Sequence, residues 1–178
     1  MSKRKIYILL TRFPDMGSKI IHALTGFRYT HASIGLEEDP NTFYSFVEKG
    51  FIVEKLDRYV KPGRKPFQCR MYEMEVSDRV YARIKDIVQT FVIHKADLSY
   101  TRLGVVMGLC HLPIKRRHKF FCSHFVAEVL ERSSAVVLAK SSALYFPQDF
   151  KNLPGVKLNF QGDMSGLLYR NRLVGGMA

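Results

Sequence analysis

Apolar residues fall into short, clearly bounded runs along this chain. The run Ile6-Tyr7-Ile8-Leu9-Leu10 ends at Thr11-Arg12 and predicts a first strand. Pro14-Asp15 then sets a helix start, and Met16, Ile20, Ile21 and Leu24 recur at helical spacing until Gly26 stops it. From Thr30 to Glu37 the period changes to two, with Ala32, Ile34 and Leu36 on one face and His31, Ser33 and Gly35 on the other. Turn chemistry over Glu38-Asp39-Pro40-Asn41-Thr42 and a returning run from Phe43 to Phe46 make Thr30 to Val53 a hairpin followed by a further extended piece.

Lys61 to Pro66 is a basic loop, and Phe67 to Val76 predicts another strand. Ser77-Asp78 caps a helix whose stripe is Val80, Ile84, Ile87, Val88 and Phe91. Tyr100 to Leu112 reads as helical and ends before Pro113, with Ile114 to Lys119 as a basic connector. Phe121, Phe125, Val126, Val129 and Leu130 then recur as a buried helical face, which puts Cys122 in the first turn. With no internal repeat and no clear linker, residues 1–178 are expected to form one domain, of mixed α and β content.

Composition narrows the class. A hydrophobic fraction of 47% over 178 residues is enough for a full core, and no run approaches the roughly 18 apolar residues that a spanning helix needs. The first apolar run is too short for a signal peptide and lacks a small-residue cleavage site. Cys69, Cys110 and Cys122 make an odd count without disulfide-like spacing. Reduced thiols in the cytoplasm are therefore expected, with a peripheral membrane association as an extension of that reading. The net charge of +12 favours anionic partners in general. Lys61 to Lys65 and Lys115 to Lys119 carry much of it, but no recognition motif accompanies them, so specific nucleic-acid binding is not expected.

A thiol in the first turn of a helix meets unpaired N–H groups and the positive end of the helix dipole, which favour its anionic form. That is nucleophile chemistry, and the same N–H groups suit an oxyanion. The competing reading of Cys122 is a small buried hydrophobe. Among the other histidines, His22, His94, His111 and His118 have no comparable context, and His124 projects from a different side of the helix than Cys122. Cys110, His111, His118, Cys122 and His124 could be gathered around zinc, yet their spacing fits no recognised pair of ligand pairs, so no metal is assigned.

Two segments, Tyr29-Thr30-His31-Ala32-Ser33-Ile34-Gly35-Leu36 and Phe120-Phe121-Cys122-Ser123-His124-Phe125-Val126, together resemble the circularly permuted branch of the NlpC-type papain-like superfamily. In that branch, which includes amidase-like proteins and the lecithin retinol acyltransferase group, the histidine strand precedes the cysteine helix. The resemblance runs from Lys5 to about Phe160 and takes in Pro147-Gln148-Asp149-Phe150. It implies an α+β papain-like fold, an antiparallel sheet packed against helices, and a thiol-dependent amidase or peptidase working through an acyl-enzyme. Cys122 matches the nucleophile and His31 the base, with a third polar residue expected on the next strand. Ser45 stands there, a weaker orienter than the glutamate or histidine of relatives, and Glu48 serves only if the strand bulges. Tyr100 resembles a tyrosine of the oxyanion site, although a core or surface tyrosine fits as well. The implied substrates are small-molecule, peptide or lipid acyl compounds, with no cofactor required. Lipid-directed acyl transfer or thioester cleavage, and a non-catalytic basic module for anionic membrane or nucleic acid, are the alternatives.

Overall fold

The computed structural model describes residues 3–12, 26, 28–63 and 65–175. The helix expected between Pro14 and Gly26 lies outside the described residues, apart from Gly26 itself. Five strands come first: β1 (Lys3–Thr11), β2 (His31–Leu36), β3 (Thr42–Val47), β4 (Gly50–Lys55) and β5 (Gln68–Ser77). Helix α1 (Asp78–Ile93), β6 (Ser99–Tyr100), α2 (Arg102–Leu109), β7 (Lys119–Phe120), α3 (Cys122–Arg132), β8 (Val156–Asp163) and α4 (Met164–Gly175) follow. The main sheet has the order β4-β3-β2-β1-β5-β8, and every neighbouring pair is antiparallel. The protein is thus α+β, with helices packed on an antiparallel sheet.

Strand β1 sits inside this sheet and is covered on both faces, which is why its sequence is a continuous apolar run instead of an alternation. Ile6, Ile8 and Leu10 enter one core with Ala32, Ile34, Phe46, Tyr72 and Met74, under Ile84, Val88 and Phe91 of α1 and Phe125, Val126 and Val129 of α3. Leu9 enters the other with Phe43, Leu56, Cys69 and Met71, closed by Met164, Leu167 and Leu168 of α4. Ser77 caps α1 as expected, its hydroxyl accepting from Val80 N at 3.4 Å.

An aromatic cluster fixes α3 on the sheet. Phe125 packs on Phe46, Phe51 and Phe91, with the Phe91 and Phe125 rings 4.8 Å apart and edge to face. The expected helix from Tyr100 to Leu112 is shorter than its apolar pattern suggested. Ser99-Tyr100 instead pairs in parallel with Lys119-Phe120, and Thr101 caps α2 by accepting from Gly104 N at 2.9 Å. A capping threonine holds extended backbone, which keeps Tyr100 out of the helix.

Candidate functional site

His31 opens β2, and Cys122 opens α3, whose packing against β2 and β3 brings the two side chains together. Cys122 is the first helical residue after the N-cap Phe121, whose side chain accepts no hydrogen bond, so the N–H groups of that turn are not used by a side-chain cap. Cys122 Sγ lies 3.9 Å from the Thr30 carbonyl oxygen, just before His31. Both residues are buried, His31 to 4% exposure and Cys122 to 7%.

The imidazole is held from two sides. Its Nε2 lies 2.6 Å from Glu54 Oε1, and it also hydrogen bonds with the Cys122 side chain. Burial by itself would strip the proton from His31. The charge of Glu54 and the hydrogen bonds with Cys122 and Glu54 outweigh that effect and raise its pKa to about 10. The carboxylate thus favours the protonated form of the His31 ring.

Glu54 is the residue that sequence reasoning missed. It lies on β4, opposite Phe43 of β3, and is 3% exposed. On the strand after His31, where a third polar residue was expected, the structure places Ser45. Ser45 is buried on β3, but its hydroxyl donates to the Ala32 carbonyl at 2.6 Å, and it is Glu54, one strand further, whose carboxylate reaches the imidazole. Glu48 is exposed in the turn between β3 and β4, where it pairs with Arg102 Nη2 at 2.8 Å. A signal for Glu54 was available: it is an acidic residue set directly against the apolar run Phe51-Ile52-Val53, where an unpaired carboxylate would be costly to bury.

Tyr100 stands beside Phe120 in the short parallel ladder that leads into α3, partly buried against the aromatic core. The three cysteines occupy different settings. Cys110 is exposed at the end of α2, whereas Cys69 is fully buried and its thiol is pushed up to about 12 by that burial. Among the described residues, no group of three His, Cys, Asp or Glu side chains is placed to hold a metal ion. No described helix is long and apolar enough to cross a membrane. No protein-family model matches the chain, and no curated protein sequence matches it.

Proposed function

We propose that this protein is a cysteine hydrolase of acyl bonds, built on a permuted papain-like fold, with Cys122, His31 and Glu54 as its triad. The observation that carries the reading is the doubly held imidazole, bonded to a carboxylate through Nε2 at 2.6 Å and to a thiol at the start of a helix. The histidine strand precedes the cysteine helix, in the order of the permuted branch.

The chemistry follows from where the proton sits. Cys122 Sγ, with its proton on His31, attacks the acyl carbonyl, and the first-turn N–H groups of α3 donate to the resulting oxyanion. His31 then donates its proton to the leaving amine as the tetrahedral adduct collapses to a thioester. Water attacks that thioester, gives a proton to His31, and the carboxylic acid departs with Sγ again the leaving group. Glu54 keeps the ring oriented and its charge compensated throughout. The free thiols support a reducing, cytoplasmic setting. Amide hydrolysis is the first choice. Acyl transfer on lipids is a second reading, favoured by Leu103, Val106 and Leu112, exposed to 47%, 54% and 52% just before the basic connector.

The test is the pH dependence of Cys122 alkylation by iodoacetamide, followed by peptide mass, in the wild type, His31→Ala and Glu54→Gln. Rapid alkylation below the ordinary thiol range, lost in His31→Ala, supports the triad. An ordinary thiol titration unchanged by both substitutions overturns it. Acyl amides and acyl thioesters, each with and without anionic vesicles, then separate amidase from lipid-directed activity.

A further inference from the structure

Helix α3 presents His124 to a cavity of about 360 Å³ that Cys122 does not line. The apolar wall is Phe91, Leu98 and Phe120, and the His124 ring stacks at a tilt against Phe120, 5.0 Å between centroids. His124 is 1% exposed, and neither of its ring nitrogens has a hydrogen-bond partner. The nearest carboxylate, Glu128, lies 3.8 Å from Nε2, beyond hydrogen-bond reach, and accepts from Lys115 and Ser142. Burial lowers the pKa of His124 to about 4, so at neutral pH the ring offers one donor and one acceptor, both unused.

The rim has the opposite character. Arg116, Arg117 and Arg132 line the cavity and, among the described residues, pair with no carboxylate. Lys115, by contrast, is held by Glu128 and Glu131. Unpaired guanidinium groups beside an apolar wall suit a ligand that is anionic at one end, and a phosphate offers oxygens enough for several guanidinium forks. The volume is that of a small-molecule site.

We propose that this cavity binds a phosphate monoester with an apolar body: phosphate on Arg116, Arg117 and Arg132, the apolar part against Phe91, Leu98 and Phe120, and a polar atom of the ligand on His124. The site stands apart from the thiol chemistry and does not depend on it. The experiment titrates the full chain with hexyl phosphate, phenyl phosphate, inorganic phosphate and hexanol, by calorimetry and by the ¹⁵N signals of the His124 ring. One or both esters should bind saturably and shift those signals, at least about tenfold more tightly than inorganic phosphate or hexanol. The tighter ester tells an alkyl ligand from an aromatic one. Arg116→Gln/Arg117→Gln, on the exposed connector, should weaken binding about tenfold, and Arg132→Gln should do the same. Esters that bind no better than inorganic phosphate, an unmoved His124 ring, or unchanged binding in the arginine variants overturn the proposal. So does protection of Cys122 from alkylation by the bound ester, which would assign the cavity to the thiol site.

Discussion

At the scale of single residues, Glu54 and Ser45 differ in a way that experiment separates. Glu54→Gln removes a charge from a buried pair, so His31 holds its proton less tightly. The alkylation rate of Cys122 near pH 6 should fall at least about tenfold, the equivalent of one pKa unit. The same variant should lose roughly 3–5 kcal/mol in urea denaturation, because the remaining buried ion is uncompensated. Ser45→Ala instead removes one buried hydrogen bond, to Ala32, and should cost about 1–3 kcal/mol while leaving the alkylation profile in place. The sequence made Cys122 and His31 legible because helix start and strand alternation are local patterns. The acidic residue beside the apolar run at Glu54 hinted at a buried pair, but its partner His31 lies two strands away in the sheet, which no local pattern encodes.

Among the elements, the pairing of β2 with β3 depends on close approach. A Cβ on Gly35 would lie 2.7 Å from Cε1 of Phe43, a ring that is itself fully buried. Gly35→Ala should therefore destabilise the protein by roughly 1–3 kcal/mol, measured by denaturation, and should shift the aromatic signals of Phe43. Ser77→Ala, which removes the cap of α1, should cost about 1 kcal/mol and leave Cys122 alkylation unchanged. The helices α1 and α3 were readable because each carries apolar residues at helical spacing under a wide sheet. Strand β8 escaped the reading: at the sheet edge, its exposed and half-buried residues do not alternate cleanly. Tyr100 was misplaced because the apolar content of α2 continues upstream of the threonine that caps it.

For the whole molecule, two buried histidines with opposite shifts should set a window of stability. His31 has a folded pKa above its unfolded value of about 6.5, and because its proton comes from Cys122 the stability of the pair is lost only as pH rises past the free-thiol value of about 8.5 towards about 10. His124 has a folded pKa of about 4, below its unfolded value, so the unfolded chain binds the extra proton and stability is lost as pH falls from about 6.5 towards 4. Urea denaturation across pH 4 to 10 should show a plateau between about pH 6.5 and about pH 8.5, declining on both sides. His124→Phe should flatten the acid side by on the order of 2–3 kcal/mol, and His31→Gln the alkaline side. A wild-type curve without an alkaline decline would count against the His31–Glu54 pair.

The order of the triad along the chain has a consequence for biosynthesis. As translation proceeds, the histidine strand and the strand bearing Glu54 leave the ribosome well before the helix that carries the thiol. His31 and Glu54 can pair once the β2-β3-β4 meander has formed, but Cys122 joins them only once the aromatic cluster has docked α3 on the sheet. On the proposed reading, reactivity arrives with the completed tertiary structure, and an unfinished chain carries Cys122 as an unactivated thiol.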